Sequence, residues 1–239
     1  MPFDKTLIDY INITKADLTL LKIPETFSDI EKWESAFKNF ESDDQEIQKF
    51  LSRYQKLGFK QLDTSLHIAD LFCGKGNSLT ALEQLGFSNL TGVDISEDLL
   101  SQYDGEATLY NGNCLDLHFL NDSTFDVIVI QGGIHHLDNL EQNLEKLFLE
   151  IKRILAPNGK FYFIEPWLTP YLQFVHGCAA LTLLRRIYLP LCAFATMVYY
   201  ESSTYKKWLT SDSFIQYQLN THFPDSTIKI GWGKAIFHT

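Results

Sequence analysis

Asp70, Gly74 and Gly76 lie in DLFCGKGNSLT, residues 70–80, where an apolar run gives way to a helical pattern. Two glycines one residue apart let the chain turn sharply, and let a ligand approach backbone N–H groups with no Cβ in the way. The acid at position 70 adds a charge, and a carboxylate at a strand end suits a ligand with a positive group, such as an ammonium or a sulfonium. Asp94 closes the next apolar run, where a carboxylate can accept both ribose hydroxyls of an adenosine. His135 and His136 follow FDVIVIQGG and belong to the one residue type that titrates near neutrality, which makes them candidate general bases. Their alternative role is to hydrogen-bond locally and hold the loop. Glu165 closes a later apolar run and either meets a substrate or ties down Pro166-Trp167.

Two common glycine-loop chemistries fit these residues poorly. A P-loop ends in Lys-Ser/Thr to hold phosphates and Mg²⁺, but Lys75 falls between the glycines and no such pair follows. A dinucleotide fingerprint asks for a third glycine that packs helix on strand; that place holds Leu79. Asp70 would also stand as an anion beside a pyrophosphate. Asp94 argues for a ribose without saying whether it comes from NAD or from S-adenosylmethionine.

Alternating strands and helices must position these groups. LHIADLF, LTGVDI, ATLYNGN, FDVIVIQGG and KFYFIEP read as strands, the fourth nearly all apolar as befits burial on both faces. NSLTALEQLG reads as a helix closed by Gly86, Ser96 caps EDLLSQY, and Asp138 is placed to cap a helix carrying Leu140, Leu144, Leu147, Phe148, Ile151 and Leu155. APNG, 156–159, reads as a turn. This alternation predicts an α/β fold with a parallel sheet covered on both sides. Before it, Ser28-x-x-Glu31 is a capping box ahead of Ile30, Trp33, Phe37 and Phe40 on one helix face. Ser42-x-x-Gln45 repeats the signal ahead of Ile47, Phe50, Leu51, Tyr54 and Leu57, with Gly58 placed to end that helix. Both stripes read as core. STIKI-GWG-KAIFHT closes the chain as an antiparallel hairpin.

Composition narrows the classes of partner. With 239 residues, 45% hydrophobic and 21% charged, the chain can bury a sizeable core. A net charge of −10 argues against nucleic acid, since no Lys/Arg excess exists to release counterions. Cys73, Cys114, Cys178 and Cys192 show no metal-ligand spacing and read as reduced thiols of a cytoplasmic protein; no metal site is expected. MPFDKTLIDYINITK has early acids and no continuous apolar stretch, so it does not read as a signal peptide. The apolar segment 168–200 is split by Arg185-Arg186 into runs short of the ~20 residues a spanning helix needs, and Pro190 is expected to interrupt the second. His176 within it reads as a core histidine. Trp167, Tyr171, Phe174, Tyr199, Tyr200 and Tyr205 read mostly as core, with a pocket wall as the alternative.

Taken together, ADLFCGKGNS, GVDIS, YNGNCLDLHF, FDVIVIQGGIHHL and LAPNGKFYFIEP resemble, in order and spacing, the class I S-adenosylmethionine-dependent methyltransferases. The likeness is greatest to the branch with the ubiquinone/menaquinone-type and many small-molecule enzymes. The resemblance implies a Rossmann-like, doubly wound sheet of seven strands, the last antiparallel. N-terminal helices (1–60) would form a lid segment, and 61–239 the methyltransferase domain with a helical acceptor-side insertion over about 168–223. It implies S-adenosyl-L-methionine as cofactor, with Gly74 and Gly76 leaving room for its methionine part, Asp70 organising its ammonium and Asp94 binding its ribose. Asn113 falls where the family usually has an aspartate facing the adenine amino group, and Cys114 would supply a backbone N–H. Gln131 and Gly132 would face the methionine moiety, and Phe72, Cys73 and Ile95 complete the cofactor set. Phe72 takes a place often held by glycine, so the loop must turn there on a non-glycine backbone; His118 takes a slot usually held by proline.

The expected reaction is methyl transfer to an O or N atom of a small acceptor, hydrophobic or lipid-linked, with His135, His136 and Glu165 as candidate catalytic residues. Segment 168–200 would serve as a lid, a dimer interface or a surface for transient membrane contact, in a monomer or homodimer. The competing readings are an NAD(P)-dependent reductase on the same glycine loop and a non-catalytic S-adenosylmethionine-binding partner protein. The absence of a Tyr-x-x-x-Lys pair counts against the reductase.

Overall fold

The computed structural model describes residues 7–239; the first six residues of the opening stretch MPFDKTLIDYINITK lie outside the described residues. Seven strands form one sheet: β1 (Ile68–Leu71), β2 (Leu90–Asp94), β3 (Thr108–Asn111), β4 (Phe125–Gln131), β5 (Leu155–Pro166), β6 (Thr227–Gly231) and β7 (Lys234–His238). Their spatial order is β3-β2-β1-β4-β5-β7-β6. β1 lies between β2 and β4, and β1 to β5 pair in parallel. The two-residue turn Trp232-Gly233, with φ of 50° and 78°, makes β6 and β7 an antiparallel hairpin of the primed-turn kind. The helices, in chain order, are α1 (Lys15–Leu20), α2 (Asp29–Phe40), α3 (Asp43–Lys56), α4 (Asn77–Gln84), α5 (Glu97–Leu100), α6 (Leu140–Ile154), α7 (Pro170–Ala180), α8 (Thr182–Ile187), α9 (Leu189–Tyr200), α10 (Ser202–Leu209) and α11 (Asp212–His222).

The chain forms two compact units. One comprises Asp43–Glu165, Ser213–Ile230 and Ala235–Thr239 and holds the sheet; the other comprises, of the described residues, 7–42, Pro166–Asp212 and Gly231–Lys234. The N-terminal sixty residues are thus divided: α3 belongs with the sheet. Its Phe50 and Tyr54 are buried against Leu79, Leu82, Phe87 and Val129, with Ile47, Leu51 and Leu57 beside them. On α6, Leu140, Leu144, Leu147, Phe148 and Ile151 form one buried stripe. Phe148, Phe161, Phe163, Phe223 and Phe237 pack ring against ring, Phe163 and Phe237 at 4.8 Å. Four local expectations change. Asp138 does not cap α6 through a backbone N–H; it accepts from the Asn143 side chain at 2.8 Å, while Asn139 takes the cap position in a left-handed conformation. Leu155 has left the helix to start β5, and Ile154 ends the stripe. APNG is a bulge in β5: Leu155 pairs with Phe125 and Lys160 with Val127, so four residues oppose Asp126 alone. Pro190 opens α9 rather than breaking it, because a first-turn proline forfeits no helical hydrogen bond.

In the second unit, Ser28 and Glu31 do form a capping box at the start of α2. The stripe behind it is not all core: Ile30 and Phe40 are exposed, and the buried residue of α2 is Ala36. Ala36 clusters with Cys192 and Ala193 of α9, since small side chains let two helices approach closely. Trp33 and Phe37 stack at 5.5 Å, and Trp33 Nε1 donates to Glu201 at 2.9 Å. Arg185 is buried. It meets both carboxylate oxygens of buried Asp17, at 3.0 and 3.2 Å, and donates to the carbonyls of Ala179 and Asn12. Burial alone would raise the Asp17 pKa; the Arg185 and Thr14 hydrogen bonds outweigh it and hold the carboxyl below its usual range.

Removing one partner of a buried pair strands the other charge. Arg185→Ala is expected to cost about 3–5 kcal/mol in a denaturant titration, and an Asp17→Asn/Arg185→Met double variant clearly less. Equal losses would show that lost packing, not stranded charge, sets the effect.

Candidate active site

The strand register brings the chemistry-bearing residues to one edge of the sheet. Leu71 pairs with Val93 and Ile130, Val93 with Tyr110, and Ile130 with Phe163. One residue further along lie Phe72, Asp94, Asn111, Gln131 and Ile164, and beyond them Cys73, Ile95, Gly132 and Glu165. These are the carboxyl ends of parallel strands where the order turns back on β1, the place at which a doubly wound sheet opens a crevice. A recess of about 280 Å³ lined by Lys152, Asn158, Phe223 and Thr239 lies beside the start of β5, at the opposite edge, and brings together none of these groups.

The glycine loop turns through three left-handed residues, Phe72 (φ 59°), Gly74 (φ 55°) and Gly76 (φ 79°). A bulky residue there is strained, and the next loop makes room for it: a Cβ on Gly133 would stand 2.4 Å from the Phe72 Cβ. Gly133 thus supplies the space that a glycine at 72 would have left. At Gly76 a Cβ would meet the Tyr103 ring at 2.3 Å, whereas at Gly74 it would meet open space. The close packing that a third loop glycine would provide comes instead from Gly92 of β2, where a Cβ would strike Leu79 at 2.8 Å and Cys73 Sγ at 2.9 Å. Cys73 and Cys114 are free, buried thiols; burial raises both, Cys114 to about 12.

Asp94 is already at work in the fold. Its Oδ2 accepts from Gly74 N at 2.8 Å and its Oδ1 from Ser96 N at 2.9 Å, fixing the loop to the end of β2. A carboxylate has about four lone-pair sites, so both oxygens retain capacity for hydroxyl donors. Ile95 beside it is 73% exposed, an apolar surface at the crevice. Asn113 is exposed and its Oδ1 accepts from Leu115 N at 2.9 Å, closing an Asx turn that presents its amide outward.

Asp70 is 1% exposed, and its Oδ2 is buried without a hydrogen-bond partner. Desolvation, reinforced by the nearby Asp94 charge and partly offset by a Ser78 hydrogen bond, raises its carboxyl to about 7. Gln131 Nε2 is likewise buried without a partner. Buried polar atoms are normally satisfied. An orphaned acceptor and an orphaned donor at one sheet edge therefore match a zwitterion, the ammonium toward Asp70 and a carboxylate toward Gln131, such as the methionine end of S-adenosylmethionine.

Helix α3, whose stripe reads from sequence as core, supplies polar residues to the glycine loop and to Gln131. Lys75 pairs with Asp43, Asn77 Nδ2 donates to Glu46 at 2.9 Å, Tyr54 OH and Ser78 Oγ are 2.5 Å apart, and Arg53 Nη1 donates to Gln131 Oε1 at 3.1 Å. The available signal was polar: Glu46, Lys49 and Arg53 recur at helical spacing along the apolar stripe.

The loop after β4 is organised by Glu165. Fully buried, it accepts from Gly133 N at 2.9 Å and Ile134 N at 2.8 Å through Oε1, while its Oε2 lies 2.6 Å from His135 Nδ1. It holds this loop rather than Pro166-Trp167; Trp167 N donates to Gly233 O instead. With Nδ1 as the donor to Glu165, Nε2 is the atom of His135 that accepts a proton. His136 is exposed, its ring 4.2 Å from that of His135. His118 is exposed and pairs with Asp116. In the other unit, His176 is buried with Nε2 3.2 Å from Tyr205 OH, and desolvation lowers it to about 4, leaving it neutral. Trp167 and Tyr205 are core, but Tyr171 and Phe174 of α7 and Tyr199 of α9 are exposed: each helix buries its other side.

A doubly wound sheet carries a glycine loop after β1, a buried acid within β1 and a second acid at the end of β2, an arrangement that suits an adenosyl amino acid. Residues 69–163 match the family described as a methyltransferase domain. A demethylmenaquinone methyltransferase of Leptospira interrogans is 30% identical over 119 residues, 43% of this chain and 46% of that protein. The mRNA cap guanine-N(7) methyltransferase 1 of Oryza sativa is 27% identical over 119 residues, 41% of this chain and 32% of that protein. The chain thus spans less than half the length of these relatives. The PH0226 protein of Pyrococcus horikoshii shares the fold, with a TM-score of 0.60 at 19% identity over 89% of this chain and 98% of that one.

The Asp70 carboxyl yields a prediction of definite sign. An unfolded aspartate loses its proton near pH 4, whereas folded Asp70 keeps it to about 7. The folded state therefore binds more protons in that window, and stability falls as pH rises through it. Asp70→Asn is expected to stabilise the ligand-free protein at pH 8 by about 1–3 kcal/mol, the gain shrinking toward pH 4. It should weaken S-adenosylmethionine binding and remove the loss of affinity expected of the unaltered protein below pH ~7. Melting curves and calorimetry at pH 5 and pH 8 test both; a variant less stable at pH 8 than the unaltered protein would refute the assignment.

Proposed function

We propose that this chain transfers the methyl group of S-adenosylmethionine to an O or N atom of a small, hydrophobic or lipid-linked acceptor. The observation that carries the reading is that Asp70 Oδ2 in β1 and Gln131 Nε2 at the end of β4 are both buried without a hydrogen-bond partner, with Asp94 and Gly74 already locked together. Asp70 would hold the cofactor's ammonium, Gln131 its carboxylate, Asp94 the ribose hydroxyls, and Ile95 and Asn113 the adenine. Bound S-adenosylmethionine supplies an activated methyl on a sulfonium, so the residues have mainly to align an acceptor and exclude water.

His135 is the proposed general base. Glu165 holds its Nδ1 and would stabilise the imidazolium formed when Nε2 takes a proton from a hydroxyl or protonated amine. Glu165 acts through His135 and is a positioning residue, and His136 assists by its ring contact. The relatives' printed acceptors, a quinone precursor and an RNA cap, are chemically unlike; the net charge of −10 favours the apolar one over the polyanion.

Calorimetry is expected to show S-adenosylmethionine binding and no response to NADH; the reverse would sink the reading. Asp94→Ala should weaken binding by about 1.5–3 kcal/mol, with an unchanged dissociation constant placing the ribose elsewhere. For catalysis, His135→Ala should lower turnover about 10²-fold or more while sparing cofactor affinity. Glu165→Gln should shift the pH–rate profile, since it alters the partner of Nδ1. A His135→Ala enzyme with full kcat would remove the base from the mechanism.

A further inference from the structure

We propose that the outer side of α7 and α8, together with Trp232, is a membrane-docking surface that lies in the interfacial layer of a lipid bilayer. The inference does not depend on the methyl-transfer reading. Helix α7 buries one ridge, Leu172, His176 and Ala179. Its opposite ridge, Tyr171 and Phe174 followed by Leu181, falls at helical spacing and is exposed, Phe174 by 68%. Helix α8 is anchored inward by Arg185 on Asp17, which turns Leu183 (71% exposed) and Ile187 (73% exposed) outward with Arg186 and the adjoining Tyr188. The hairpin tip places Trp232, 81% exposed, edge-on to Tyr171 at 5.4 Å. A helix that buries one apolar side and exposes another has a second apolar partner to find.

Charge selects that partner. Residues 166–200 contain no Asp or Glu, in a chain with 30 acids against 20 bases. Of the two arginines there, Arg185 is neutralised inside by Asp17, so among the described residues of 166–200 this surface presents Arg186 as its charged group. A second copy docking here around a two-fold axis would bury Arg186 against an acid-free surface, which is costly. At a bilayer, Arg186 can extend its guanidinium to lipid phosphate while Leu183 and Ile187 enter the acyl boundary. Trp232, Tyr171 and Tyr188 are the residue types that favour the headgroup level. Helices of 11 and 6 residues lie along the surface; among the described residues no helix is long and apolar enough to cross a membrane.

Flotation of the full chain with phosphatidylcholine vesicles, with and without phosphatidylglycerol, tests the proposal. Binding is expected to both, a few-fold stronger with the anionic lipid, and only that increment should be lost with salt or in Arg186→Gln. Leu183→Asp/Ile187→Asp should reduce vesicle binding about tenfold or more, with unchanged melting temperature. Failure of the unaltered chain to float with either vesicle would overturn the proposal. So would dimerisation without lipid in sedimentation equilibrium that the double variant abolishes, since it assigns the surface to a second copy.

Discussion

The carboxylate of Asp94, with one oxygen on Gly74 N and the other on Ser96 N, holds the site in shape. A loop turning through three left-handed residues is strained wherever a side chain is present, and it persists because its neighbours over-determine it. Asp94 fixes the loop from β2, Gly133 admits the Phe72 side chain from the loop after β4, and α3 fixes it from a third side through Lys75, Asn77 and Ser78. With the backbone so held, Asp70 is enclosed beneath it, 1% exposed. Its raised pKa follows from that enclosure.

Glu165 plays the equivalent part on the other side of the crevice. It satisfies two successive backbone N–H groups and a histidine nitrogen, so the geometry of the 133–136 turn and the orientation of His135 are one constraint. This carboxyl is withdrawn from water, where a hydrogen bond is electrostatically stronger than in solvent. A carboxylate read from sequence as a contact for substrate or for Pro166-Trp167 proves to be the support of the proposed base.

Much of the fold was legible because each signal was local. The short apolar runs of β1, β2 and β4, the Ser28 capping box, the Gly58 and Gly86 stops and the closing hairpin rest on residues close in sequence. Failures came where distant contacts overrode local preference. Asp138 gave up the cap for the Asn143 side chain, and Ile30 and Phe40 stayed outside because α9 approaches α2 at Ala36. The outward ridge of α7 had the composition of core. Periodicity finds apolar stripes, but two stripes on one helix look alike until one of them is covered.

By itself the sequence determined the order of strands and helices, the glycine loop with its two acids and the chemical class of cofactor, since these depend on residue types at short fixed spacings. Only the tertiary structure decided what those residues do to one another. Parallel register carried Asp94, Gln131 and Glu165 to one edge, α3 added Arg53 and Tyr54, Gly133 and Gly92 took over tasks of absent loop glycines, and Glu165 took hold of His135. Each of these joins residues tens of positions apart. Burial and hydrogen bonding, which set the charge state of Asp70 and the orientation of His135, exist only once the chain has folded around them.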